Sequence, residues 1–204
     1  MGSPRKKIIL VGGFHETLEL CEACGVKVAG IIDNQLTGEL RGVPVIGKDT
    51  DAPRLYRKFG AVPVVLTPDQ PGVRMKLRTY YSEIGFSFAG LVHPSANVSP
   101  SAQLGKGAVV QAGVTVSSEA VIGDFVKLNV GAVVMHDCVI GDYTSVAPCA
   151  LLLGHVRIGR ECYVGGHATI LPYRSVADRV TVGAGAVVTK DVGEEKIVKG
   201  VPAR

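Results

Sequence analysis

Sixteen positions spaced six residues apart, from Val98 to Val188, hold only valine, isoleucine or leucine. They are Val98, Leu104, Val110, Val116, Ile122, Leu128, Val134, Ile140, Val146, Leu152, Ile158, Val164, Ile170, Val176, Val182 and Val188. With 47% of the chain hydrophobic, sixteen apolar residues in register would arise by chance with a probability of roughly 6 × 10⁻⁶. A period of six is not the i, i+3, i+4, i+7 spacing of an α-helix, which no segment from Asn97 onward shows. It fits a parallel β-helix, in which each hexapeptide supplies one short strand and one corner, and three of them close a triangular coil of 18 residues. About five coils fit between Asn97 and Val188. Small residues stand two places before many of the aliphatic positions (Ala96, Ala102, Ala108, Ala120, Ala132, Ala150, Ala168, Ala186), where a tight corner is expected. Glycine often follows the aliphatic positions (Gly105, Gly123, Gly141, Gly159, Gly165, Gly183), and a positive φ is expected there.

Before His93 the pattern is different. "KIILVGG", "VKVAGIID", "AVPVVLT" and "FSFAGLV" read as buried strands, and "HETLELCEACG", "DTDAPRLYRKFG" and "QPGVRMKLRTYYSEIG" as helices between them. Strands alternating with helices of about 10 to 15 residues predict βαβ units and a parallel sheet. Gly25 falls where the first helix should end. The expected architecture is an α/β domain over residues 1–92, a small Rossmann-like parallel sheet, followed by an all-β parallel β-helix over residues 93–204. A chain with 47% hydrophobic and 20% charged residues is not disordered. The net charge of +4 is spread out, with no basic block beyond "PRKK", which argues against a nucleic-acid partner. No apolar run nears the roughly 20 residues of a membrane span, so a cytoplasmic protein with no membrane partner is expected. Five cysteines without a disulfide framework fit a reducing compartment, and the Cys21/Cys24 pair lacks the second pair a zinc site needs.

The stretch "VVMHDCVIGD" sets polar residues into the aliphatic repeat. Residues 18 apart stack on successive coils about 4.8 Å apart, so His136 lies one coil before Gly154. His136 and Asp137 follow the inward Val134 and should project from the surface. Acyl transfer to an amine or hydroxyl needs a base for the nucleophile's proton and a donor for the developing oxyanion. A histidine, with its ordinary pKa of about 6.5, suits the first task and a carboxylate can orient it. The Gly154 N–H suits the second. His155 and His167 are corner residues that could line a groove for the acyl donor, and His93 marks the start of the repeat. A zinc enzyme would have to combine His136, His155 and His167; the step from His136 to His155 misses the coil repeat by one, so no close histidine pair and no metal are expected. In the front domain, "LVGGFHE" places Gly12 and Gly13 between a strand and a helix, where backbone N–H groups can meet phosphate. Asp33 follows at about the spacing of a ribose-binding carboxylate, but the full dinucleotide fingerprint is missing, so a nucleotide carried on a sugar is the better fit.

Taken together, "IIDN…GVPVIG", "LVHPSA", "VVMHDCVIGDYTSVAP", "VTVGAGAVVTKDV" and the terminal "KGVPAR" resemble the hexapeptide-repeat acyltransferases, in particular the sialic-acid O-acetyltransferase and nucleotide-linked amino-sugar N-acetyltransferase family. The resemblance covers nearly the whole chain. It implies a left-handed β-helix, a homotrimer, acetyl-CoA as co-substrate and a nucleotide-linked amino sugar as acceptor. It implies His136 as base, Asp137 beside it, Asn129 helping to position the site and Gly154 as oxyanion contact. It also implies substrate-binding roles for Gly12, Gly13, His15 and Asp33. Many members carry a second active-site histidine where this chain has Ser145. The C-terminal stretch is expected to close the coenzyme A groove, with Gly154, His155, His167, Ala184, Gly185, Lys190 and Arg204 lining it. O-acetylation of a sugar, transfer to a free amino acid or an unlinked sugar, and a non-catalytic binding protein are the alternatives.

Overall fold

A computed structural model describes residues 6–204. The front sheet is built from β1 (Lys7–Val11), β2 (Lys27–Ile32), β3 (Glu39–Leu40), β4 (Val43–Gly47) and β5 (Val64–Leu66), in the order β3-β4-β2-β1-β5. It is parallel except for the β3–β4 hairpin at its edge. Helices α1 (His15–Ala23), α2 (Ala52–Phe59) and α3 (Pro71–Ile84) make the connections. Their ends are written in the sequence: α3 begins at Pro71, whose missing N–H is no loss in a first turn, and stops at Gly85 with φ +108°. No helix is long and apolar enough to cross a membrane.

The rest of the chain is a three-faced parallel β-helix. Among the described residues, face I has seven two-residue strands from Leu91–Val92 to Ile197–Val198. Face II has six, from Asn97–Val98 to Val187–Val188, and face III has five, from Gln103–Leu104 to Ser175–Val176. Strand partners lie 18 residues apart, as in Val116↔Val134↔Leu152. The aliphatic positions from Val110 to Val188 are at most 3% exposed and form one continuous core, with Ala120, Ala132, Ala150, Ala168 and Ala186 buried at its corners. The last coil is shorter: Val176 pairs with Val192 and Thr181 with Ile197, a step of 16. The two missing residues come out of the corner between faces II and III.

The reason expected for the glycines is corrected. None of Gly105, Gly123, Gly141, Gly159, Gly165 and Gly183 has positive φ; a Cβ on any of the first five would lie 2.3–2.6 Å from atoms of the adjoining coil, so they serve close stacking. The left-handed conformation falls three places after the inward residue, where Phe125, Asp137, Tyr143, His155, Glu161 and Tyr173 adopt it with φ between 56° and 61°. The repeat imposes it on ordinary side chains, and the corner's stacking overrides their intrinsic preference.

The front domain docks on face I and on the corner between faces III and I. Arg74 of α3 enters that corner, donating to the carbonyls of Phe125 at 3.1 Å and of Tyr143 and Thr144, and back to Pro68 and Asp69. Burial pushes its pKa down to about 10, with Asp69 acting against that. Lys127 of face I reaches the other way, to Thr67 O at 3.1 Å, Asp69 at 2.8 Å and Glu16 at 3.6 Å. Phe88 stands edge-on to Phe125, which stacks on Tyr143. The corner between faces II and III is the vertex opposite face I, on the far side of the helix from this contact.

Candidate active site

The corner between faces II and III carries two columns of side chains. His136, Gly154 and Pro172 form one, and Asp137, His155 and Tyr173 the other, each at steps of 18. His136 Nδ1 is 2.7 Å from Asp137 Oδ2. A carboxylate accepts there, so Nδ1 carries a proton, and in the neutral imidazole the lone pair is on Nε2. The His136 side chain is about half exposed. The ring leans over Gly154: a Cβ on that residue would sit 2.7 Å from Nε2. Gly154 is therefore glycine because the imidazole occupies the space of its side chain. Its N–H has no acceptor among the described residues, and Pro172 above it has no side-chain acceptor to offer. A free N–H beside an unprotonated imidazole nitrogen can hold an oxygen while the nitrogen takes a proton.

A close histidine pair does exist, contrary to the expectation from spacing. The rings of His136 and His155 stand edge-to-face at 5.2 Å, and His155 Nε2 lies 3.7 Å from Asp137 Oδ2. The signal was present: Asp137 and His155 are 18 apart, so the carboxylate next to His136 stacks under His155. Tyr173, one coil further and also missed, stacks on His155 at 4.7 Å with the planes 9° apart.

In the front domain, a cleft of about 270 Å³ opens at the carboxyl ends of β1 and β2 and is lined by Gly12, Phe14, Asp33, Asn34, Gln35, Asp49, Pro68, Val73 and Leu77. Gly12 has φ +97° and packs against Thr67, where a Cβ would come within 2.3 Å of the hydroxyl. Asp33 takes hydrogen bonds from the N–H groups of Gly13, Gln35 and Leu36 at 2.8–2.9 Å. Burial alone would raise its pKa, but these three donors outweigh it and hold the carboxyl below its ordinary range. Gly12 and Asp33 thus line the cleft; Gly13 stands behind Asp33, and His15 opens α1 outside the walls. Cys21 is buried with its thiol pushed up to about 12, first by burial and then by Cys24 and Glu22, which leaves the Cys21/Cys24 pair a packing feature.

Comparisons with known proteins bear on both regions. The bacterial transferase hexapeptide (six repeats) family matches residues 119–154. Galactoside O-acetyltransferase of Escherichia coli is 37% identical over 49 residues, 24% of this chain, and the match spans about a quarter (24%) of that enzyme's length. Two solved structures extend the likeness over the whole chain. GDP-perosamine N-acetyltransferase of Caulobacter crescentus, solved as a histidine-to-alanine mutant with CoA and GDP-perosamine, is 35% identical with a TM-score of 0.92, covering 97% of this chain and 95% of that one. The acetyltransferase domain of PglB from Neisseria gonorrhoeae, in complex with acetyl coenzyme A, is 31% identical with a TM-score of 0.91 over 98% of both. The chain belongs to the hexapeptide-repeat acyltransferases, in their amino-sugar N-acetyltransferase group.

For an acetyltransferase of this group, the remaining expected residues are divided between two edges of the coil. Gly154, His155 and the shortened turn holding Lys190 lie on the edge with His136, whereas Asn129, His167, Ala184 and Gly185 lie on the edge between faces I and II. Arg204 ends a turn that folds back on the last coil, exchanging backbone hydrogen bonds with Lys199. Within one chain the structure does not bring Asn129 to His136; its amide lies 3.4 Å from Asp69 instead. Ser145 is fully buried and donates to the Asp69 carbonyl, so in this chain it ties the front domain to the helix. Lys127 and Arg74 do the same and were invisible beforehand, since a lysine in a hexapeptide strand reads as an exposed residue.

Proposed function

We propose that this acetyltransferase moves the acetyl group of acetyl-CoA to the amino group of a nucleotide-linked amino-deoxy sugar, in the cytoplasmic synthesis of a bacterial surface glycan, with His136 as general base. The observation that carries this is His136 Nδ1 fixed on Asp137 with Nε2 over the bare backbone of Gly154. The amine attacks the thioester carbonyl, Nε2 takes its proton, and the Gly154 N–H donates to the oxyanion. Collapse expels the thiol sulfur, which takes the proton back from the imidazolium and leaves as CoA. The binding of CoA and GDP-perosamine by the Caulobacter enzyme supports the substrate class.

The acceptor's nucleotide belongs in the front cleft, with Gly12 and Asp33 at its wall and Gly13 and His15 on the adjoining turn and helix. At about 270 Å³ the cleft is below the usual size of a whole-ligand site, so the sugar has to extend out of it. His136 of the same chain lies at the vertex opposite face I, on which the front domain docks, so our reading gives that sugar a base from another chain. A homotrimer resolves this, because a neighbour's vertex then meets the cleft and Asn129, and the two edges that divide the coenzyme A residues close one groove. The test is a screen of GDP-, UDP-, TDP- and CMP-linked amino sugars with acetyl-CoA, following free thiol, for the wild type and His136→Ala. The variant should fold and lose about 10²- to 10⁴-fold in kcat/KM. A folded variant keeping more than about a tenth of the activity would reduce His136 to a binding residue.

A further inference from the structure

We propose that His136, Asp137 and His155 also form a site for a divalent transition-metal ion of the zinc or cobalt class, and that the bound ion switches the acetyltransferase off. One donor atom from each of the three lies within 4.8 Å of the others. Two imidazoles and a carboxylate suit zinc, cobalt or iron(II) and disfavour magnesium or calcium, which prefer all-oxygen sites. Donors about 2.1 Å from a tetrahedral ion stand about 3.4 Å apart. The two distances measured from Asp137 Oδ2, 2.7 Å to His136 Nδ1 and 3.7 Å to His155 Nε2, bracket that spacing. All three side chains are between 40% and 47% exposed, so they can adjust by small rotations, an ion can enter, and water can complete its shell. Tyr173, stacked on His155, holds that ring at the orientation that presents Nε2 to Asp137.

The consequence for catalysis follows from the proton. An ion on Nδ1 takes the lone pair where the proton stood, and the proton moves through solvent to Nε2. Neutral imidazole is conserved, but Nε2 is now a donor and cannot accept a proton from the amine. This inhibition rests on His136 being the base; occupancy of the site does not.

The test is titration of the intact protein with cobalt(II) alone, following bound metal by equilibrium dialysis, its visible spectrum, and acetyl transfer at the same concentrations. One cobalt per chain is expected, with the spectrum of nitrogen and oxygen ligands and without the near-ultraviolet thiolate band that the exposed Cys149 would give. Asp137→Asn and His155→Asn should each weaken binding at least tenfold, and asparagine tolerates the left-handed backbone at both positions. At ten times the dissociation constant the wild-type rate should fall about tenfold, and chelator should restore it. Equal binding by His155→Asn, or a thiolate band, would overturn the site. A filled site with an unchanged rate would overturn the inhibition. The rate of metal-free His136→Ala reads the base assignment separately, so the two failures cannot be confused.

Discussion

Two corners of the same β-helix have the same backbone and opposite uses. In both, the N–H three places after the inward residue is bonded to the coil below, as with Tyr143 on Asp124 and His155 on His136. In both, the N–H one place earlier is left over. Between faces III and I those of Lys106, Asp124 and Arg160 are capped from the next coil, by the carboxylates of Asp124, Asp142 and Asp178 at 2.7–2.9 Å, although that of Asp142 is not. Between faces II and III the equivalent residues are His136, Gly154 and Pro172, and the Gly154 N–H stays open. The first corner spends its polar groups on the fold and on holding the front domain. The second leaves a donor and a base unspent, which is what a reaction needs.

The largest expected effect on stability lies on the fold-building side. Asp69→Ala leaves the buried Lys127 with only Glu16, at 3.6 Å, as a counter-ion. Because Asp69 is itself half exposed, a loss of about 3 kcal/mol is expected, the low end for stranding a buried charge, read from urea unfolding. Lys127→Met should cost less, since it removes the buried charge with its partner's need for it.

The same substitution at the two corners should separate their roles. Gly123→Ala would set a Cβ 2.8–2.9 Å from backbone atoms of Asp142 and Ile140, which cannot give way; about 1–3 kcal/mol of stability should be lost. Gly154→Ala meets the His136 ring first, a side chain that can swing out. Its stability should change by less than about 1 kcal/mol, and kcat/KM should fall by about 10- to 100-fold because Nε2 has left its place. Equal stability losses for the two variants would break the comparison. The smallest pair is Asp142→Ala, expected to cost about 1 kcal/mol for the uncapped Asp124 N–H, against Asp137→Asn, expected to leave stability unchanged and lower activity less than His136→Ala does. Thermal melts and initial rates on both proteins decide it.

Much of this was legible because the repeat converts sequence distance into space. The inward Val116, Val134 and Leu152 and the stacking of His136 under Gly154 follow from counting in eighteens. Counting from His136 alone concealed His155; counting from Asp137 would have revealed both it and Tyr173. What could not be read is which face the front domain covers. All three faces show the same alternation, so Lys127 and Ser145 look like solvent positions until α3 and the loop at Asp69 close over them. The division of the expected coenzyme A residues between two edges was hidden for the same reason, since spacing orders residues along an edge without saying which edges meet.

The most direct test of the account is complementation between two inactive variants, His136→Ala with an intact cleft and Asp33→Ala with an intact base, each required to be below about a hundredth of wild-type activity alone. If the cleft of one chain is served by His136 of its neighbour, randomly mixed trimers refolded from equal amounts contain both intact halves at about a quarter of their sites, and about a quarter of wild-type activity should return. Activity no higher than that of the two parents would place base and cleft within one chain and contradict the arrangement.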